Sequence, residues 1–234
     1  MEKSLVFSER SLFDDALFWL VVSQRFGTNS FQQAAYEIVW RECINNITNA
    51  LPDAFIYIQT PLKTCVERLA IRDRVEERGV VTNQEYLRKL ISMHDQAFFL
   101  CTRAVDESKP RLRIFDEESI QKAPPHLAVF MKHMTGKRVF VADNNEPLWI
   151  NEAIETFKGF DDVKEICLSG CIAAGKSTSL EYIKEKTHHQ TRPEPLDLWG
   201  NGFINLLEAF NTVPEKCAFE FQMVAFISRA FNRK

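Results

Sequence analysis

Short apolar runs alternate along the chain with longer segments whose apolar residues recur at helical spacing. The first two runs, Leu5 to Phe7 and Ala54 to Thr60, have the composition of buried strands. Between them, Leu12 to Phe26 and Phe31 to Ile47 carry apolar side chains three and four positions apart, which predicts two helices separated by the break at Gly27 to Ser30. This alternation predicts an α/β fold with a parallel sheet.

The second half of the chain continues the alternation but leaves one strand ambiguous. Glu85 to Phe99, Trp149 to Phe157 and Ala218 to Phe231 are predicted helices. Leu112 to Phe115 and Arg138 to Asp143 could each be the next strand, and the second is favoured because it is richer in β-branched residues. The rest of the segment from about 100 to 136 receives no assignment and is treated as an uncertain insertion.

The amino-acid composition limits the class of protein but indicates no particular reaction. The chain has 234 residues, 45% of them hydrophobic, which suits one sizeable domain or at most two small ones. A net charge of −3 gives no global attraction to nucleic acid or an anionic membrane. The apolar run from Ala16 to Val22 is too short to span a bilayer, so we expect a cytoplasmic protein. The cysteines show no metal-ligand spacing and are expected to be free thiols, namely Cys43, Cys65, Cys101, Cys167, Cys171 and Cys217.

The clearest chemical motif is the run GCIAAGKS, Gly170 to Ser177, which matches G-x-x-x-x-G-K-[ST]. A β-prone segment, Glu165 to Ser169, precedes it, and a predicted helix, Thr178 to Lys186, follows. In this context the loop's backbone N–H groups can surround phosphate oxygens while Lys176 reaches the outer phosphates and the Ser177 hydroxyl ligates Mg²⁺. The alternative is a glycine turn with a surface lysine. The motif lies unusually late, because such a loop ordinarily follows the first strand of its fold.

Charged residues emerge where the first predicted strand ends. Glu9, Arg10 and Ser11 follow this strand, at the sheet edge where α/β folds bind ligands. An acid in this place is typical of Mg²⁺-dependent phosphate-loop enzymes, which indicates a metal-orienting role for Glu9. The alternative is a helix cap, with Ser11 at the N-cap and Asp14 in the first turn. Both interpretations can hold together.

The densest charge pattern follows the second strand, from Pro61 to Val81. Arg68 and Arg72 share a helical face, and Arg74 follows closely. Three guanidinium groups on one side could close over a triphosphate, which predicts a lid at about 68 to 80. The alternative is a solvated face linked by pairs of glutamate and arginine.

The last third of the chain contributes polar residues in apolar or proline-rich surroundings. Glu194 has a proline on each side, which fixes the backbone and aims one carboxylate from a strand end. Gln222 and Arg229 lie on a mostly apolar helix and could bind the polar edge of a ligand, although a snorkelling Arg229 is the safer interpretation from the residues alone. Phe18 and Trp19 could line a pocket but are more typical of core residues.

Together these stretches resemble the deoxyribonucleoside kinase family. The stretches are GCIAAGKS, EPLDLW from Glu194 to Trp199, FQ at 221 and 222, SR at 228 and 229, ERS at 9 to 11, and RLAIRDRVEE from Arg68 to Glu77. Their order differs from the family's, in which the phosphate loop comes first. The resemblance therefore implies a five-stranded parallel phosphate-loop kinase fold in circularly permuted order, with adjacent termini, or a fragment of a tandem array giving the same order.

The resemblance also implies roles for individual residues. Glu194 would accept the proton of the substrate 5′-hydroxyl, Arg10 would steady the phosphoryl group, and Glu9 would orient Mg²⁺. Glu77 would reach the sugar 3′-hydroxyl, which a tyrosine near the position of Phe210 usually also binds; a phenyl ring cannot. The nucleotide site would comprise Gly170, Ala173, Ala174, Gly175, Lys176, Ser177, Thr178, Arg68, Arg72 and Arg74, and the acceptor site Phe221, Gln222, Arg229, Asp15, Glu77, Trp199 and Phe210.

The predicted function is phosphorylation of a deoxyribonucleoside 5′-hydroxyl with Mg·ATP. The resemblance implies that the Asp15 and Arg229 pair favours deoxycytidine or a deoxypurine over thymidine. The alternatives are a nucleoside monophosphate kinase, which needs a further basic clamp, and a catalytically inactive nucleotide-binding module. The family resemblance also implies a homodimer, with neither nucleic acid nor a membrane as a partner.

Overall fold

The protein is built on one sheet flanked by helices. The computed structural model describes residues 3–47, 50–73, 84–144, 149–200 and 205–231. The described strands are β1 (Val6–Glu9), β2 (Ala54–Gln59), β3 (Thr102–Ala104), β4 (Leu112–Phe115), β5 (Arg138–Asp143), β6 (Glu165–Ser169) and β7 (Gln190–Arg192). The described helices are α1 (Leu12–Phe26), α2 (Ser30–Asn46), α3 (Leu62–Arg72), α4 (Gln84–Asp95), α5 (Glu117–Gln121), α6 (Pro125–Met131), α7 (Trp149–Lys158), α8 (Lys176–Lys186), α9 (Leu196–Gly200), α10 (Leu206–Thr212) and α11 (Pro214–Phe231), and a π-helical turn, Gln96–Leu100, follows α4.

The described strands form a seven-stranded sheet in the order β3-β4-β5-β2-β6-β1-β7. Five of them, β5, β2, β6, β1 and β7, run parallel. The predicted count of five is therefore too low for the whole sheet, because β4 pairs antiparallel with β5 and β3 pairs antiparallel with β4. Both candidate segments are strands: Arg138–Asp143 is the parallel one, as favoured, and Leu112–Phe115 extends the sheet beyond it.

The strand that leads into the phosphate loop lies near the centre of the sheet. Strand β6 pairs with β2 on one side and with β1 on the other, both in parallel. The register sets Glu9 of β1 beside Leu168 of β6, so that the carboxyl ends of these strands meet at one edge. Side chains that follow these strands are brought together there, although they are far apart in sequence.

Alternation along the strands divides the core between the two faces of the sheet. In β2, Phe55 and Tyr57 belong to one buried apolar cluster, while Ala54, Ile56 and Ile58 belong to another. The first cluster includes residues of α1, α4, α6 and α11, and the second includes residues of α7 and α8. Both faces of the parallel strands are therefore covered, as continuous apolar strands require.

Helix α1 is the most deeply buried helix segment near the site. Its N-terminus is a capping box in which Ser11 N–H donates to Asp14 Oδ2 at 2.7 Å. The cap predicted for Ser11 and Asp14 is therefore confirmed. The helix ends at Gly27, which has φ 65°, a conformation that glycine adopts without strain. Every side chain from Leu12 to Ser23 is buried. Asp15 and Phe18 of this helix line the cavity described below.

The segment left without an assignment is part of the packed structure. It contributes β3, β4, α5 and α6, with Phe115, Leu127 and Phe130 in the core. Its short elements gave no periodic signal long enough to assign. None of the helices in the described ranges is long and apolar enough to cross a membrane. The termini lie outside these ranges, so their expected adjacency remains a prediction.

Candidate functional site

A cavity of about 590 Å³ lies at the carboxyl edge of the parallel strands. It joins the phosphate loop to an aromatic pocket between α1, α9, α10 and α11. The predicted site residues that line it are Glu9, Arg10, Asp15, Arg68, Arg72, Ala173, Ala174, Gly175, Lys176, Ser177, Thr178, Glu194, Trp199, Phe210, Phe221, Gln222 and Arg229. Gly170, the first residue of the phosphate loop, is not among the residues that line the cavity. Arg74 and Glu77, and most of the predicted lid, fall outside the described residues.

The phosphate loop turns sharply at its first glycine. Gly170 has φ 148°, and a Cβ there would lie 2.9 Å from the carbonyl oxygen of Ile58 in β2. Lys176 Nζ donates to the carbonyl oxygens of Gly170 at 3.1 Å and Cys171 at 2.8 Å. Burial, together with the nearby Arg10 guanidinium, lowers the pKa of Lys176, whose exposed fraction is 4%. An anion in the loop would relieve this cost by pairing with the ammonium group.

Side chains from two other strand ends hold the loop in place. Asn144, just after β5, donates through Nδ2 to the Ala174 carbonyl at 2.5 Å, and Thr60, just after β2, donates to the same oxygen at 3.2 Å. Arg68 Nη1 of α3 donates to the Ala173 carbonyl at 3.3 Å. Asn144 and Thr60 were missed from the sequence, although polar residues directly after buried strands are a signal that could have identified them.

Glu9 and Ser177 meet where a metal ion could bind. Ser177 Oγ donates to Glu9 Oε1 at 3.0 Å, and Glu9 is buried at the end of β1. A hydroxyl and a carboxylate are oxygen donors of the kind that Mg²⁺ prefers. The described residues contain no group of three His, Cys, Asp or Glu side chains arranged to hold a metal. The pair therefore fits an ion whose remaining ligands are phosphate and water, as is usual for Mg²⁺.

Glu194 lies between two arginines, the largely buried Arg10 and the buried Arg229. Its Oε1 is 3.2 Å from Arg10 Nη1 and 2.6 Å from Arg229 Nη2. Its side chain is 10% exposed. Burial raises the pKa of Glu194, and the Arg10 guanidinium opposes that rise. The carboxylate is thus held in place at the junction between the phosphate loop and the aromatic pocket.

Each of the two arginines makes further contacts. Arg10 has φ 60°, in the left-handed region, and its guanidinium lies 4.3 Å from the Phe18 ring centroid. Arg229 also pairs with Asp15 through Nη1 and lies 4.7 Å from the Trp199 ring centroid. The predicted pair of Asp15 and Arg229 is therefore present, and the snorkelling alternative for Arg229 is wrong. The sequence did not indicate that Arg229 would also bind Glu194.

Aromatic rings form the far wall of the cavity. Phe210 and Phe221 stack with centroids 4.8 Å apart, and Trp199 meets Phe221 edge-on at 5.9 Å. Phe18 lines the cavity, whereas Trp19 stacks on Tyr36 in the core at 4.5 Å. The core interpretation is thus right for Trp19, and Phe18 belongs to the same buried apolar cluster while also lining the cavity. Sequence reasoning also missed Tyr86, Ile172, Leu196 and Leu207, which line the cavity from helices or from the loop itself.

Comparisons with known proteins identify the family of the chain. The family model described as deoxynucleoside kinase matches residues 1–136 and 166–234. Human deoxycytidine kinase is 32% identical over 98 residues, which are 40% of this chain and 36% of the human protein. The match therefore spans about a third of that relative's length. No solved structure matches the chain significantly. Since the family model covers most of the residues, the chain belongs to the deoxynucleoside kinase family.

Proposed function

We propose that the protein transfers a phosphoryl group from ATP to the 5′-hydroxyl of a deoxyribonucleoside. The observation that carries this proposal is the continuity of the cavity from Lys176 in the phosphate loop, past Glu194, to the Phe210 and Phe221 pair. A nucleoside whose base lies against the aromatic rings would direct its 5′ end toward the loop. Family membership supports the same reaction class.

Glu194 is the proposed general base. Its position between Arg10 and Arg229 limits its rotation, and its raised pKa increases its affinity for a proton. Phosphoryl transfer requires little covalent chemistry from a protein, so positioning and neutralisation of charge supply most of the rate. Arg10, which contacts Glu194, is the proposed partner of the transferring group.

Glu9 and Ser177 would hold Mg²⁺, directly or through water. The ion would neutralise charge on the phosphate oxygens when bound. Lys176, Thr178 and the loop's backbone N–H groups would hold the phosphates from the other side. Arg68 and Arg72 line the cavity above the loop and would add positive charge there.

The acceptor base is proposed to be cytosine or a purine. Phe221 offers a face for stacking, while Gln222 and the pair of Asp15 and Arg229 line the same pocket with hydrogen-bonding groups. The charge of Arg229 is already matched by two carboxylates, Asp15 and Glu194. This favours a neutral nucleoside over a nucleoside monophosphate, whose phosphate needs its own cation.

A panel of acceptors tests the proposal. Purified protein, ATP and Mg²⁺ are incubated with each deoxynucleoside, each deoxynucleoside monophosphate, or no acceptor, and ADP release is measured. We expect turnover with deoxycytidine or deoxypurine nucleosides. Turnover with monophosphates alone would support the monophosphate kinase, and ATP binding without any turnover would support an inactive module.

We also propose that the elements are circularly permuted. If the chain is followed from β6 to its C-terminus and then on from its N-terminus, the parallel strands come in the order β6, β7, β1, β2, β5. In this order the phosphate loop follows the first strand. The neighbouring parallel strands β7 and β1 would then be joined through α9 to α11, as in an ordinary crossover. A fragment of a tandem array would have the same order. A chain joined end to end and reopened before Glu165 should keep its turnover.

The single domain, the homodimer and the cytoplasmic location stay predictions.

A further inference from the structure

Asp14 of α1 is a buried carboxylate that is not among the residues lining the cavity. Its side chain is 0% exposed. Burying an ionised carboxylate is unfavourable unless hydrogen-bond donors surround it. Burial raises the pKa of Asp14, but the nearby His94 ring and the hydrogen bonds from Ser11 outweigh this effect and hold the pKa below its ordinary value. Asp14 is therefore a charged acceptor at neutral pH.

The Oδ2 atom of Asp14 accepts hydrogen bonds from two strand ends. In the turn that follows β1, the Ser11 N–H donates to it at 2.7 Å and the Ser11 hydroxyl at 2.8 Å. From β6, the Ser169 hydroxyl donates at 3.0 Å and the Cys167 thiol at 3.5 Å. The other oxygen, Oδ1, lies 3.8 Å from His94 Nε2 of α4. One carboxylate thus links the end of β1 to the end of β6.

The two serines that share this carboxylate adjoin two parts of the candidate site. Ser11 directly follows Arg10, which has φ 60°, an uncommon conformation for a residue with a side chain. The Arg10 guanidinium in turn contacts Glu194 at 3.2 Å. Ser169 directly precedes Gly170, where the phosphate loop begins. The shared carboxylate therefore connects the turn that carries Arg10 to the start of the loop.

A second capping box shows what helix capping alone requires. At the N-terminus of α2, the Gln32 N–H donates to Asn29 Oδ1 at 2.9 Å and the Asn29 N–H donates to Gln32 Oε1 at 3.1 Å. Both side chains are neutral, and neither is buried. A buried carboxylate is therefore not needed to cap a helix. The bonds from Ser169 and Cys167 distinguish Asp14 from an ordinary capping residue.

We propose that Asp14 is a positioning residue for phosphoryl transfer, because its carboxylate fixes the turn that carries Arg10 relative to the start of the phosphate loop. This inference rests on the proposed function. ATP would bind to the N–H groups of the loop and to Lys176 with or without this link. The alignment of the phosphoryl group with Arg10 and Glu194 would depend on it. A small displacement there lowers the rate of transfer more than the affinity for either substrate.

The test measures kcat and both KM values in Asp14→Asn, in Ser169→Ala and in the double variant. Asp14→Asn removes the charge and keeps the shape, whereas Ser169→Ala removes one donor and leaves the capping box of α1 intact. We expect each single variant to lower kcat by about tenfold, while the KM for ATP and for the nucleoside changes by less than about twofold. Because both changes break the same link, the double variant should lose little more activity than either single variant.

Gln32→Ala is the matched control, because it breaks the capping box of α2. We expect it to lower the free energy of unfolding while kcat keeps its wild-type value. All rates are measured well below the melting temperature of each variant, so that unfolded protein does not contribute to a lower kcat. An equal loss of kcat in Gln32→Ala would show that the loss of a helix cap is sufficient, and would overturn the inference.

Three further outcomes overturn the inference while leaving the proposed function intact. In the first, Ser169→Ala keeps the wild-type kcat, and this variant alone decides if Asp14→Asn fails to fold. In the second, the loss in the double variant equals the product of the two single losses, so that the two residues act independently. In the third, KM rises while kcat is unchanged. A wild type without turnover of any nucleoside overturns the proposed function and this inference together.

Discussion

The two halves of the cavity are built in different ways. The phosphate half is one continuous loop, Gly170 to Ser177, whose Lys176 bonds to carbonyl groups of that same loop. The acceptor half is assembled from side chains of separate elements, with Glu194 held by Arg10 and Arg229. The first half depends on local backbone geometry, and the second on a network of buried charges. The donor site can therefore be identified from eight consecutive residues, whereas the acceptor site depends on the order of the strands in the sheet.

The largest effect should come from removing the base at the junction of the two halves. Glu194→Gln keeps the shape but cannot accept a proton at neutral pH, so we expect kcat to fall by about a thousandfold. ATP binding, which depends on the loop, should be retained in a nucleotide-displacement assay. Glu185→Gln, at an exposed position on α8, is the matched control. An active Glu194→Gln protein would contradict the assignment.

The next effect should distinguish the charge network from an ordinary ion pair. Arg229→Gln removes the arginine that pairs with the buried Asp15 and one of the two arginines that pair with Glu194, and we expect it to lower the free energy of unfolding by about 3 kcal/mol. Arg192→Gln breaks a pair with Glu165 in which Arg192 is 38% exposed, and should cost less than about 1 kcal/mol. Chemical denaturation measures both. Equal costs would show that the acceptor half is not the coupled network described above.

A smaller effect should be specific to the phosphate half. Ser177→Ala removes the hydroxyl that donates to Glu9, and we expect the Mg²⁺ concentration needed for half-maximal turnover to rise by about tenfold. The KM for the nucleoside should not change. Ser23→Ala, which removes a hydroxyl bonded within α1, is the control. An unchanged Mg²⁺ requirement would remove Ser177 from the proposed metal site.

The smallest effect is a displacement of the pH profile. Since burial raises the pKa of Glu194 above its ordinary value of 4.5, the carboxylate becomes protonated, and loses its function as a base, at a higher pH than an exposed glutamate would. We expect kcat/KM to fall on the acid side with a midpoint above pH 4.5. A profile for the wild type with a midpoint at or below that value would contradict the burial argument.

Much of the fold could be predicted because the long elements carry clear periodic signals. The predicted bounds of α1, Leu12 to Phe26, and of β6, Glu165 to Ser169, agree with the structure residue for residue. The helices predicted to begin at Thr178 and Ala218 begin earlier, at Lys176 and Pro214. Strands β3 and β4 were harder to predict from the sequence because three or four residues are too few to show a periodic pattern. Their partners in the sheet are set by tertiary pairing.

The phosphate loop, the alternation of strands and helices, and the resemblance that the family match confirms could all be identified from the amino-acid sequence. These depend on residues that are neighbours in the chain. The tertiary structure alone decided that Ser177 meets Glu9, 168 positions away, that Arg229 binds Glu194 as well as Asp15, and that Tyr86 faces the cavity. The physical reason is that parallel strands bring their carboxyl ends to one edge of the sheet, so side chains distant in the sequence meet there.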